Sequence, residues 1–295
     1  MHNADPDGRS DDGRLPGEES ARLLLPRAGL AGLVSVAIVR DTRRLQLAPE
    51  QRYSYFPASP FCAASWVLEG QAHLADAMGL IDGEPLPPAF ISGPYRRPIA
   101  TWSPGPVVAM TVGFYPEAWR ALTGLDAKAL SGREWPLDAA LSQELLPLFR
   151  AVAAAGDCER GFARLQDGLE PLWRDSRPQG LGPPWLEDWA RGLVARAALS
   201  GPGKSARQIQ RRVKAWTGQS QRDLQVHARV EAVFARTHAA NDVSLSELAA
   251  DMGYADQSHM GREVKRITGH SPAQISRLIA TDERFWCYRL LGERF

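Results

Sequence analysis

Between Gln257 and Lys265 the chain carries side chains suited to a charged, hydrogen-bonding surface: Gln257, Ser258, His259, Arg262 and Lys265. Glutamine and arginine can make paired hydrogen bonds to base edges, histidine and serine single ones, and a lysine ammonium can neutralise a phosphate. That chemistry requires the residues to share one face of a rigid element, and the neighbouring residues supply it. Asp256 can cap a helix, Met260, Val264 and Ile267 recur on its buried side, and Gly269 can take the left-handed conformation that ends it. Upstream, Ser244 and Glu247 have the S-x-x-E spacing of a capping box; Leu245, Leu248, Ala249 and Met252 form an apolar stripe, which Gly253 stops. Ser271-Pro272 opens the next helix. Two short helices joined by a tight turn, the second with a basic outer face, make a helix-turn-helix pattern with a recognition helix. An ordinary amphipathic pair with a solvated face would show the same periodicity.

The stretch has an echo. Shifted by 51 positions, SARQIQRRVKAWTGQS (205–220) lies on DQSHMGREVKRITGHS (256–271). Ser205 falls on Asp256 as cap, Ile209, Val213 and Trp216 fall on Met260, Val264 and Ile267, and Gly218 falls on Gly269. Arg211 and Lys214 match Arg262 and Lys265 on the outer face. Caps, core, basic face and terminator agree together, which marks a duplicated unit. Two recognition helices in one chain can enter successive major-groove segments about 34 Å apart.

These runs, with GYADQSHMGREVKRITGHSPAQI (253–275) the more specific, resemble the C-terminal DNA-binding domain of the AraC/XylS family of bacterial transcriptional regulators. The resemblance covers roughly the last third of the chain. It implies base-reading roles for Arg207, Gln210 and Arg211 in the first unit and for Gln257, Ser258, His259 and Arg262 in the second. Ser205, Lys214 and Lys265 would hold phosphates. Arg229 matches an arginine that recurs in the family's linker helix. Val213 and Val264 stand where the family commonly has Phe, and Gln221 where a Pro often follows the Ser. The first unit's scaffold helix is poorly marked, because GLVARAALSGPGK (192–204) is broken by Gly201-Pro202-Gly203.

Length and composition fit this division. A chain of 295 residues suits two domains, and a net charge of +1 describes no general polyanion binder. Basic charge is local instead, at Lys204, Arg207, Arg211, Arg212 and Lys214. Three cysteines, Cys62, Cys158 and Cys287, lie far apart without C-x-x-C spacing, so neither a disulfide framework nor a zinc site is expected. With no signal peptide or bilayer-length apolar run, the expectation is a cytoplasmic protein without a membrane partner.

Residues 1–19, rich in Asp, Gly and Ser, read as a disordered tail. From about Leu30, short apolar runs broken by Pro and Gly read as strands: VSVAIV (34–39), AASWVLEG (63–70), PAFISGP (88–94) and VVAMTVGF (107–114). Helical periodicity follows in EAWRALTG (117–124), LSQELLPLFRAVAAAG (141–156) and ERGFARLQDGLEPLW (159–173). The expected class is therefore α+β: a mostly antiparallel, barrel-like sheet domain with helices over residues 20–178, a linker at 179–184, and an all-α tandem helix-turn-helix domain over 185–295. The sheet-then-helices order resembles the sensor and dimerisation half of AraC-type regulators, and the runs 55–70 and 90–124 resemble a subgroup of uncharacterised ligand specificity.

Catalysis has little support. His73 is the only histidine between residues 3 and 226, which disfavours a metal-dependent barrel enzyme, and no G-x-S-x-G, P-loop or G-x-G-x-x-G pattern occurs. Cys62 in FCAAS reads as a core thiol. No cofactor or metal is expected. An effector pocket built from Trp66, Tyr95, Arg96, Trp102 and Phe114 would suit a small apolar or anionic molecule, although for each residue singly the favoured reading is an aromatic in the core or a solvated arginine. The expected partners are double-stranded DNA and a small-molecule effector; RNA polymerase and a second copy of the chain are further partners open to such a regulator. The alternatives are an enzyme, or a protein-interaction module, fused to a helix-turn-helix domain. Activator and repressor are not separable at this level.

Overall fold

The computed structural model describes residues 20–76, 81–173, 185–201, 205–239 and 244–292. The expected N-terminal tail and the linker at 179–184 lie outside them, as does Lys204. Among the described residues there are ten strands: β1 (Ala21–Leu24), β2 (Val34–Asp41), β3 (Tyr53–Phe56), β4 (Cys62–Glu69), β5 (His73–Ala75), β6 (Ile81–Pro85), β7 (Ala89–Ser92), β8 (Ile99–Trp102), β9 (Val108–Phe114) and β10 (Glu134–Pro136). Every pairing is antiparallel, in a six-stranded sheet of order β1-β2-β9-β4-β7-β10 and a four-stranded sheet of order β3-β8-β5-β6. The four expected apolar runs are β2, β4, β7 and β9. Short strands such as β3 and β8, which lack a continuous apolar run, become legible only through their pairing, Tyr53 opposite Trp102 and Phe56 opposite Ile99.

Helices α1 (Pro116–Thr123) and α2 (Ala127–Leu130) lie between β9 and β10, and α3 (Leu137–Ala140), α4 (Leu146–Ala153) and α5 (Cys158–Leu169) follow. The run expected to be helical from Leu141 forms a helix only from Leu146, with Pro147 in its first turn, where its missing N–H leaves no bond unmade. Asp157 caps α5 by accepting from the Arg160 N–H at 2.8 Å.

Strand alternation gives the six-stranded sheet two different faces. Along β9, Val108, Met110, Val112 and Phe114 are buried and join the core, while Thr111 and Gly113 turn to the opposite side and line a cavity. On β4 the core side holds Cys62, Ala64 and Trp66, and the cavity side Ala63 and Ser65. Cys62 has no exposed surface, and burial pushes its thiol pKa up, as a core role requires.

The C-terminal helices are α6 (Leu186–Leu199), α7 (Ala206–Thr217), α8 (Gln221–Ala239), α9 (Leu245–Asp251), α10 (Gln257–Thr268), α11 (Pro272–Thr281) and α12 (Trp286–Gly292). The poorly marked scaffold of the first unit is thus a full helix, α6. Its stripe of Leu186, Trp189, Leu193 and Ala197 packs on the β-domain core, and the Trp189 ring lies tilted against Tyr115 at 5.3 Å and donates to Glu117 at 2.8 Å. Val213, Leu224 and Ala228 join that same core. The second unit has a core of its own, centred on Val230, Leu248, Tyr254, Met260, Val264 and Ile275. Finally, α12 returns to the β-domain. Trp286, Cys287 and Leu290 pack with Leu23, Ile38 and Phe56, and a buried Arg40–Glu283 ion pair (2.8 Å) lies beside them.

Candidate nucleic-acid interface and interdomain cavity

The two recognition helices are built alike from their ends inward. Ser205 caps α7 in a reciprocal box with Gln208, and Asp256 caps α10 by accepting from the His259 N–H at 2.6 Å. Gly218 (φ 72°) and Gly269 (φ 83°) end them in the left-handed region, where a side chain would be strained. Even the exit turns coincide: Thr217 Oγ1 donates to the carbonyls of Val213 (2.9 Å) and Gln219 (3.2 Å), and Thr268 Oγ1 to those of Val264 (2.9 Å) and His270 (3.0 Å). Val213, Met260, Val264 and Ile267 are buried, whereas Ile209 and Trp216 of the first unit are only half-buried. On the scaffold side of the second unit, Ser244 and Glu247 form the capping box and Gly253 takes φ 70°.

This framework leaves Ser205, Arg207, Gln210, Arg211 and Lys214 exposed on the first unit, and Gln257, Ser258, Arg262 and Lys265 exposed on the second. His259 is half-buried, its Nε2 3.4 Å from Glu263 and its ring edge-on to Tyr254 at 5.4 Å. Glu263 also accepts from Arg229 at 2.5 and 3.0 Å, so the linker-helix arginine fixes the angle of α10 rather than facing outward. Arg266 pairs with Asp223, which itself closes a capping box with Ser220 at the start of α8. These two ties set the second unit against the first. A residue that the sequence reading missed joins the first unit's face: Arg222, exposed at the start of α8, lines a cleft with Arg207, Arg211 and Lys214. Its position just after the Ser220 cap was the available signal.

The five residues expected to form an effector pocket are dispersed. Trp66 and Phe114 point to the core side of their strands; Trp66 Nε1 donates to the Phe149 carbonyl at 3.0 Å, and Phe114 lies 4.8 Å from Trp119. Trp102 donates to the Pro49 carbonyl at 3.1 Å on the far face of β8. Arg96 donates to the Gly218 carbonyl at 3.0 Å, at the end of α7. Period-2 alternation places Trp66, Trp102 and Phe114 on the faces turned away from the cavity. Only Tyr95 of the five lines it, its hydroxyl bonded to Glu134.

That cavity, about 270 Å³, lies between the two sheets and α8, α10 and α12. It is walled by Val36, Ile38, Phe90 and Ile99 from the strands and by Val230 and Phe234 from α8. Its edge also touches both recognition helices. Ala58, a wall residue, donates its N–H to the Ile267 carbonyl (2.8 Å) in α10, and the Pro60 carbonyl accepts from Gln219 just after α7 (3.2 Å). Among the described residues no group of three or more His, Cys, Asp or Glu side chains is placed to hold a metal ion, and no helix is long and apolar enough to cross a membrane.

Residues 202–277, which include both recognition helices, match a family model described as a helix-turn-helix domain. The C-terminal part of the chain is an AraC-type helix-turn-helix domain. A domain of this type supports DNA binding and transcription regulation. No curated protein matches the chain. Among solved structures, apo ToxT from Vibrio cholerae strain SCE256 is similar at 10% identity over 81% of this chain and 95% of that one, with a TM-score of 0.39. ToxT of the same strain with unsaturated fatty acid bound is 12% identical over 75% and 93%, with a TM-score of 0.36. The AraC-like transcriptional activator CuxR is 12% identical over 94% and 92%, with a TM-score of 0.27.

Proposed function

We propose that this regulator reads DNA with α7 and α10 together and that a small molecule held in the interdomain cavity sets their relative position. The observation that carries the first part is the repeated construction of the two helices, a side-chain cap at the same offset, a left-handed glycine stop and the same exit-turn hydrogen bonds, each presenting a basic face to solvent. Helix α8, with 19 residues, spans roughly 28 Å at 1.5 Å per residue, a length compatible with two major-groove segments one helical turn apart. Arg207, Arg211 and Arg262 would contact guanine or phosphate, Gln210, Gln257, Ser258 and His259 base edges, and Ser205, Lys214, Arg222 and Lys265 phosphates.

The second part rests on the cavity edge. Residues 58–60 line the cavity and hydrogen-bond at the C-terminal ends of both recognition helices. A ligand that shifts this segment moves two carbonyl contacts at once, so differential binding to two arrangements of the units would become a change in DNA affinity. Selection of fragments from genomic DNA by the purified full chain at near-physiological salt tests the reading. A motif with two read segments about one helical turn apart is expected, blurred in one segment by Arg262→Ala. Enrichment of a single segment would remove α7 from the reading, and no enrichment with or without added effector candidates would overturn it.

A further inference from the structure

The cavity wall has a chemical bias. Among the described residues no lysine or arginine lines it. Guanidiniums around the cavity are engaged elsewhere: Arg266, whose charge acts on His227, with Asp223, Arg96 with the Gly218 carbonyl, Arg40 with Ser20 and Glu283, and Arg229 with Glu263. The titratable groups that do line it are the carboxylates of Glu134 and Glu231 and the ring of His227, with the Tyr95 and Tyr288 phenols and the Cys287 thiol. The Tyr95 hydroxyl donates a hydrogen bond to Glu134, Tyr288 donates to the Thr268 carbonyl at 3.3 Å, and Glu231 accepts the Leu186 N–H at 2.9 Å.

His227 stands apart. It is 6% exposed, faces the cavity from α8, and makes no hydrogen bond among the described residues. Burial lowers its pKa to about 4, so the ring there is neutral, with one nitrogen able to accept. A ligand donor directed at that nitrogen would make a hydrogen bond that no described protein group makes. A ligand carboxylate would meet the opposite situation, since it would lose water with no lysine or arginine in the wall to replace it, with Arg266 already paired to Asp223, and with two carboxylates in the wall.

Given the reading of this cavity as the effector site, we propose that it takes a small apolar molecule bearing a hydrogen-bond donor, a hydroxyl or an ammonium, directed at His227, and that it rejects carboxylic acids of the same size. The class differs from the apolar or anionic effector that the arginines beside Tyr95 suggested in the sequence, because neither Arg96 nor Arg97 lines the cavity.

Titration calorimetry of the full chain with 1-octanol, octylamine and octanoate, below their aggregation concentrations, isolates the head group on a constant chain. The alcohol and the amine are expected to bind at least about tenfold more tightly than the acid. His227→Phe keeps a ring in place and removes the acceptor, so it should erase most of that preference. Glu231→Gln keeps an acceptor for the Leu186 N–H and should weaken octylamine more than octanol. Octanoate binding as tightly as octanol overturns the proposal, as does failure of both donors to bind; should His227→Phe not fold, the head-group series on the unaltered protein still decides. Donor binding that leaves DNA affinity unchanged would retain the ligand class and remove the effector role, so the two readings fail separately.

Discussion

Acid should destabilise this protein through His227 well before its carboxylates are protonated. The ring is 6% exposed, and its pKa falls from 6.5 to about 4, first because of burial and then because of the Arg266 charge, with Asp223 partly opposing. In the unfolded chain the ring regains the ordinary value. Between those two values the unfolded state binds a proton that the folded state refuses, so stability falls as pH drops through this window and is unaffected by this group above it. Integrating from about pH 7 to about pH 5 gives a loss of about 2 kcal/mol. Urea unfolding followed by circular dichroism at both pH values, for the natural chain and for His227→Phe, isolates the contribution, because every other titration is common to the two proteins. The stability difference between them should change by about 2 kcal/mol in favour of the variant at the lower pH. Curves that stay parallel across the window would refute the assignment of His227 as a buried neutral ring.

Lys265→Ala should weaken binding to all sequences alike and lower the slope of log affinity against log salt by about 1 if the exposed lysine at the end of α10 holds phosphate, as proposed; a sequence-selective loss would reassign it to base reading. Asp223→Ala removes the capping-box partner of Ser220 and the pair to Arg266, so folding stability should fall by about 1 kcal/mol, with the exposed ion pair adding little. DNA affinity should fall further than that wherever both segments are required, since the tie between α8 and α10 is lost; equal affinity on one-segment and two-segment sites would count against the tie. Trp286→Ala deletes a ring 4% exposed that donates to Ser54 at 2.9 Å, lies edge-on to Phe56 at 5.7 Å and sits under Arg40 at 5.0 Å. A loss of about 3–5 kcal/mol in chemical unfolding is expected, together with faster proteolysis around α12; a loss under about 1 kcal/mol would mean that α12 does not hold the β-domain.

What the sequence determined by itself was everything governed by neighbours along the chain. Caps at Ser205, Ser244, Asp256 and Ser271, stops at Gly218, Gly253 and Gly269, and the buried stripe of Met260, Val264 and Ile267 are set by hydrogen bonds and packing within one or two helical turns, so their residue types sit at fixed offsets. The strands with continuous apolar runs, β2, β4, β7 and β9, were legible for the same reason. Only the tertiary structure decided which face of those strands meets what: alternation is visible in sequence, but the side chosen by Trp66 and Phe114 depends on where α1 and α4 pack. Likewise the first helix-turn-helix unit shares its core with the β-domain, the second carries its own, and α12 closes back on β1 and β3. No local pattern announces these contacts. Arg40 finds Glu283, Ser54 finds Trp286, and Ala58 finds Ile267 across hundreds of residues of intervening chain, because burial of apolar surface brings together whichever faces fit, without regard to separation in sequence.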